Sequence, residues 1–446
     1  MRAIALIALL FLTACATVGD TAQGQSGARW VTSWGASIQG PYPIGNPSAM
    51  PDQSRVFPVP AGGTPGARDQ SFRLIVRPTL WGRETRIRMS NALGTKPVTF
   101  DGVHVGLQNA GAEITAGTNR AVMFGGKNSV TVAPGQSVWS DAVTLPFVRD
   151  ASAIELAGRK LAVSFHVVGE SGPMTWHAKA LQSSYVTWPG AGAKGHEEAE
   201  ASFPFATAAW FFVDALDMRA ADDAYAVVAF GDSITDGTAS TMNGDDRWPD
   251  VLDRRLRAAY GNRVAVVNAG IGGNQVVGPT VYPPPKPFPG GPSALSRLER
   301  DVLTLSGVKA VIWLEGTNDF SRNGNASVEA VTKGMREGVA RMRERLPGVR
   351  VIGATVVSAL GATSAAHGFK EQDDKRRQLN EFIRSSGVFD GVADFDKVVT
   401  DAQTGAIRAE FVPDNTVGGP GDKLHPNRLG YQAMGAVIDL KLLAPR

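Results

Sequence analysis

The hydrophobic period of the chain changes once, near Ala221, and this restricts it to two structural classes in succession. From Trp30 to about Arg219, short alternating runs are punctuated by Gly and Pro, and helical spacing is scarce. In residues 160–167 the odd positions are bulky and apolar and the even ones small or polar, the period of a half-buried strand. Residues 86–89 alternate likewise, and residues 129–132 run into a turn at Pro134 and Gly135. Such runs recur about every ten residues, which predicts an all-β unit, a sandwich of jelly-roll type. Stretches rich in Gly and Pro, such as residues 40–66, are expected to be surface loops.

Beyond Ala221, apolar strands alternate with amphipathic helices, the signature of a parallel sheet covered on both faces. Strands are expected at 226–230, 264–268, 310–314, 349–355 and 391–395, with a last helix over 427–443. In the segment 327–346, Val328, Val331, Met335, Val339, Met342 and Leu346 recur at spacings of three and four, one buried helical stripe. The 446 residues thus divide into a β-sandwich unit over 29–220 and an α/β unit over 221–446.

Ahead of both, Arg2, the apolar run from Ala3 to Leu12, and Thr13-Ala14-Cys15 read as a signal peptide over 1–14, too short to stay as a membrane span. Residues 15–28 would be a flexible tether. Leu12-Thr13-Ala14-Cys15 resembles the bacterial lipobox, which implies acylation of Cys15 and a membrane anchor. Ala16 in place of Asp resembles outer-membrane lipoproteins; otherwise a periplasmic or secreted location follows. Cys15 is the one cysteine, which argues against disulfides, zinc-thiolate sites and a catalytic thiol. A net charge of +3 is too small to imply nucleic-acid binding.

The chemistry-bearing residues stand just past expected strand ends, where open α/β sheets place ligands. After residues 226–230 comes Gly231-Asp232-Ser233, with Ser233 at the apex of a turn. After the second strand comes Asn268-Ala269-Gly270-Ile271-Gly272-Gly273, whose glycines let backbone N–H groups converge on a ligand. After the third comes Gly316-Thr317-Asn318-Asp319, which offers a side-chain amide. Near the C-terminus, Asp422-Lys423-Leu424-His425 brings a carboxylate and an imidazole together. Ester hydrolysis needs a nucleophile, a base, a group that orients the base, and oxyanion donors. All four are on offer.

These four blocks resemble, in order, the signature blocks of the GDSL or SGNH hydrolases, over about residues 225–443. The resemblance implies a flavodoxin-like fold with Ser233 as nucleophile, His425 as general base and acid, and Asp422 as the orienting carboxylate. It implies an oxyanion hole from the N–H of Ser233, the N–H of Gly273 (with Gly272 as fallback) and the amide of Asn318. Thr235 stands where a Gly-x-Ser-x-Gly elbow requires its second glycine, so the larger α/β-hydrolase fold is disfavoured. The β-rich half is similar to the N-terminal extension of a secreted subgroup. No metal or organic cofactor is required.

Other residues have plainer readings. Asp232, Asp236 and Asp319 are expected to hold turns, Asp394 and Asp396 to cap, and His166, His196 and His367 to be solvated. The histidines show no metal-ligand spacing, and His177 is the one of the β-rich half to place relative to the site. Trp81, Trp139, Trp176 and Trp210 are either core or sugar-stacking residues. The proline run 282–292 would wall the cleft, with Arg247 and Trp248 reaching its rim. The expected function is an extracytoplasmic serine esterase acting on short acyl, acetyl esters of small molecules or carbohydrate. A lipase, lysophospholipase or thioesterase would share the mechanism. A surface carbohydrate-binding lipoprotein with an inactive hydrolase domain is the non-enzymatic alternative.

Overall fold

Apolar runs of the second half become five parallel strands, Tyr225–Gly231, Val264–Gly270, Val308–Leu314, Arg350–Ala354 and Gly391–Ala393. The structure, a computed structural model, describes residues 28–61, 63–282 and 288–445. The expected signal peptide, Cys15, the tether up to residue 27, and residues 283–287 of the proline run lie outside the described residues. Within the sheet the five strands lie in the order second, first, third, fourth, fifth. In this flavodoxin-type order the chain reverses direction across the sheet at the first strand, which opens a crevice at the carboxyl ends of the first and third strands.

Tyr225–Gly231 is buried along its whole length, as a parallel strand with partners on both edges requires. Helix Val328–Arg345 buries Val331, Met335, Val339 and Met342, and Ser327 caps it by accepting the Ala330 N–H. Two expected elements end early. The fifth strand stops at Ala393 because Asp394 accepts the Lys397 N–H and starts the helix Phe395–Val399. The last helix spans Arg428–Val437; Ile438 is extended and Asp439 caps a separate 3₁₀ turn, Leu440–Leu443.

Among its described residues, the first half forms antiparallel sheets of five, seven and three strands. Leu161–Glu170 sits inside the largest, between Arg68–Val76 and Val98–Leu107. One of its faces enters an aromatic core where Phe165 meets Phe72, Phe100 and Phe212. The other face, expected in solvent, is covered as well, because two loops, one carrying Ala112 and the other Glu197, lie over it and take hydrogen bonds from Arg73. Ala162 packs with Ile75 and Ile114, and Ser164 accepts from Arg73. His166 is therefore not solvated: it is 5% exposed, with Nδ1 2.6 Å from Asp101 and Nε2 2.9 Å from Asp69. Trp81, Trp176 and Trp210 are core residues, and Trp139 is half-buried under the guanidinium groups of Arg86 and Arg88. Residues 40–66 are not all surface loop either, since Val56 and Phe57 are buried.

One continuous hydrophobic core runs through both halves. Strand Ala28–Gly35 crosses the outer strand of the parallel sheet, where a Cβ on Gly35 would stand 2.8 Å from Val267 Cγ1. That outer strand also pairs with Thr79, whose hydroxyl accepts the Val266 N–H at 3.0 Å and shares its one proton between the carbonyls of Ser33 at 2.9 Å and Val266 at 3.1 Å. The first half thereby occupies a sheet edge whose free backbone groups would invite strand addition.

Candidate active site

The first strand ends in a turn that only a glycine can open: a Cβ on Gly231 would lie 2.2 Å from Thr235 Oγ1 and 2.5 Å from the Leu314 carbonyl. Asp232 then caps the short helix Ser233–Asp236 by accepting the Ile234 N–H at 2.9 Å, which holds Ser233 at its first position. Ser233 Oγ lies 2.7 Å from His425 Nε2, and His425 Nδ1 lies 2.5 Å from Asp422 Oδ2. A carboxylate only accepts, so Nδ1 carries the proton and Nε2 is free to accept the Ser233 hydroxyl proton. The Asp422 carboxylate is fixed in turn by the N–H groups of Leu424 and His425, each at 2.9 Å from Oδ1. Lys423, at φ +58°, supplies the left-handed residue that folds this turn back on itself.

Burial pushes the Asp422 carboxyl upward, but the hydrogen bond and charge of His425 outweigh it and hold the group well below the usual carboxylate range. Burial raises Asp232 to about 8 and Asp319 to about 7, and the neighbouring Glu315 carboxylate adds to both. Asp319 holds the glycine loop, accepting from Val276 N–H at 2.9 Å and Val277 N–H at 3.2 Å. His367 is half-buried rather than solvated. Burial, and then the charge of His425, lower it to about 4, and its Nδ1 accepts from Gln372 Nε2 at 2.8 Å.

The three expected oxyanion donors stand on the loops that follow three neighbouring strands, which end at Gly231, Gly270 and Leu314. Neither the Ser233 nor the Gly273 N–H has a partner among the described residues. Asn318 spends one amide hydrogen on the Asn274 carbonyl at 2.9 Å and keeps the other. The fallback, Gly272, is committed elsewhere: its N–H donates to Asp236 Oδ2 at 2.9 Å. Gly273 sits at φ +86°, which favours glycine.

Four residues beyond the sequence-predicted set shape this site. Asn46, from the β-rich half, donates to the Gly272 carbonyl at 3.0 Å. Carbonyl and N–H of a trans peptide point opposite ways, so this bond aims the Gly273 N–H away from Asn46. His177 donates through Nδ1 to the Ser37 carbonyl at 2.7 Å and sets Nε2 3.2 Å from Asp236 Oδ1, directly behind the glycine loop. Lys179, also from the first half, donates to Thr238 Oγ1 at 2.5 Å. Arg297 is fully buried beneath the strand ends. Its guanidinium reaches the carbonyls of Gly231 and Ala269 at 2.8 Å, Asn274 Oδ1 at 2.8 Å, Asp301 at 3.0 Å and Glu315 at 3.2 Å, and stacks over Phe230. It thus ties three strand ends and the glycine loop together. Long-range partners of this kind leave no periodic trace, and only His177 stood out by its type.

Trp248 is buried against Phe395 and does not reach the rim, whereas Arg247 bonds the Ala180 carbonyl across the two halves. The described ends of the proline run do flank the glycine loop, with Asn274 Nδ2 donating to the carbonyls of Gly290 at 2.6 Å and Pro292 at 2.7 Å. Among the described residues no cluster of His, Cys, Asp and Glu is set to hold a metal ion.

Residues 229–433 match the GDSL-like Lipase/Acylhydrolase family. Among solved structures the chain is similar to a carbohydrate acetylesterase from Sinorhizobium meliloti, at 16% identity over 47% of this chain and 94% of that one, TM-score 0.36. It is also similar to an aryl esterase from M. smegmatis, at 19% identity over 48% and 95%, TM-score 0.36. A lipase/acylhydrolase from Enterococcus faecalis gives 24% identity over 48% and 92%, TM-score 0.34. No curated protein matches the chain. Residues 229–433 are therefore a GDSL-like lipase/acylhydrolase domain, and the enzyme that carries it is a carboxylic ester hydrolase.

Proposed function

We propose that this enzyme is an extracytoplasmic serine esterase that hydrolyses short acyl esters, acetyl esters foremost, through an acyl-serine intermediate. The observation that carries the reading is the unbroken relay from Ser233 Oγ through His425 to Asp422, at 2.7 and 2.5 Å. His425 takes the Ser233 proton as Oγ attacks the ester carbonyl carbon. The resulting oxyanion is held by the N–H groups of Ser233 and Gly273 and by the Asn318 amide. Collapse expels the alcohol with the proton from His425, and water, deprotonated by His425, then releases the acid and restores the serine.

Enclosure supports the short-chain assignment. Ser233 and Asn318 are each 8% exposed, and Asn46 and Lys179 cover the glycine loop. Carbohydrate esters fit the surface location that Cys15 acylation would give. The antiparallel sheets of the first half suit the jelly-roll reading of residues 29–220. Ser233→Ala assayed on a simple acetyl ester tests the nucleophile: hydrolysis at the wild-type rate would sink the assignment. A chain-length series tests the substrate class, since preference for long acyl chains favours the lipase alternative.

A further inference from the structure

Lys179 is 4% exposed, and its ammonium carries three N–H bonds. One goes to Thr238 Oγ1. No carboxylate of the described residues comes within the 4.0 Å of an ion pair. Burial pulls the Lys179 ammonium below the ordinary lysine value; Asp236, Asp422 and Asp232 act against that from a distance, and Arg247 works with it. A buried cation without an adjacent counter-charge is costly unless something supplies one.

A Cβ on Gly272 would stand 3.0 Å from Nζ, so the ammonium abuts the loop whose next residue, Gly273, has an N–H without a partner among the described residues. Thr238, its one partner, donates its own N–H to the Ser233 carbonyl at 3.0 Å. The charge therefore lies between the nucleophile turn and the glycine loop. It is held there from the first half: Ala180 N–H donates to the Ala208 carbonyl at 2.9 Å, Asn243 N–H donates to the Leu181 carbonyl at 2.8 Å, and Leu181 takes φ +49°. Nothing in the relay of Ser233, His425 and Asp422 requires a cation at this position.

We propose that Lys179 makes the enzyme select esters that carry a carboxylate close to the scissile bond, the substrate carboxylate completing the ion pair that the protein leaves open. The inference rests on the acyl-serine reading and narrows it from esters in general to anionic ones.

Two matched pairs, hydrolysed by the full chain and followed by titration of released acid, test it. Monoethyl succinate against ethyl pentanoate puts the carboxylate on the acyl side. 4-Acetoxybenzoate against phenyl acetate puts it on the alcohol side. The wild type should favour the anionic member of one pair by about 10-fold or more in kcat/KM, the size of a hydrogen bond to a charged group, and the favoured pair names the side. Lys179→Met and Lys179→Gln should each bring that ratio down to about one. Methionine fills the same volume without the buried charge, so its melting temperature should equal or exceed that of the wild type. The proposal is overturned if neither pair shows a preference, or if the preference survives both substitutions. Failure of the underlying reading looks different: Ser233→Ala would then hydrolyse both members as fast as the wild type.

Discussion

Asn46 holds the carbonyl of Gly272 from across the boundary between the two halves, Nδ2 to O at 3.0 Å. The β-rich half thus fixes one of the peptide groups on which oxyanion binding would depend. Removing an oxyanion donor costs about 10²–10³ in rate, and letting one wander should cost part of that. Asn46→Ala and Asn46→Asp, which cannot donate, should lower kcat by about 10- to 100-fold with little change in KM. Affinity for a boronic-acid transition-state analogue should fall in parallel. A loss confined to KM would place Asn46 in substrate binding instead.

Asp422→Asn should be far more damaging than its conservative shape suggests. The amide can present an N–H to Nδ1, which favours the tautomer with the proton on Nε2 and leaves no base facing Ser233. A fall of about 10⁴ in kcat is expected, as for the same change in a serine protease triad. Steady-state kinetics on an acetyl ester suffice, with the melting curve as a control for folding.

Arg297→Met should act on stability first. It leaves the buried Glu315 carboxylate without its cation, while Asp301 keeps Arg300, and stranding a buried charge typically costs about 3–5 kcal/mol. Chemical denaturation should show that loss, and Arg297→Lys should recover little of it, because an ammonium cannot reach several acceptors with one planar fork. A wild-type midpoint in Arg297→Met would contradict the role assigned to the guanidinium.

Stability should also depend on pH in a defined direction. Asp232 and Asp319 are raised by burial to about 8 and about 7, above the values near 4 that they regain on unfolding. Between those limits the native state binds more protons than the unfolded one, so these groups make stability fall as pH rises. Asp232→Asn keeps a capping side chain and should flatten that fall between about pH 4 and 8. The depressed Asp422 works oppositely and further down, its contribution being lost only as pH drops below the ordinary carboxylate value. Denaturant midpoints at several pH values would decide; an unchanged slope in Asp232→Asn removes this carboxyl from the account.

Where the sequence could be read, the reason was local. A strand buried on both faces is a continuous apolar run, so Tyr225–Gly231 stood out, and the stripe from Val331 to Met342 located its helix. The turns at the strand ends announced themselves by Gly, Asp and Asn. What stayed hidden depends on distant partners. His166 looked like an outward-facing strand residue because nothing nearby shows that Asp69 and Asp101, on the two flanking strands, close on its ring. Asn46 sits in a stretch indistinguishable from surface loop until Gly272, far along the chain, arrives beside it. Arg297 reads as one arginine among many, and its role exists only once three strand ends meet above it.

The hydroxyl of Thr79, bonded to both polar groups of Val266, has a consequence for how the molecule comes apart. With the outer strand sealed by the other half and one core spanning both, neither half has a private unfolding equilibrium. Heat should melt the chain in one cooperative step, and catalytic activity should vanish at the temperature where the antiparallel sheets lose their structure.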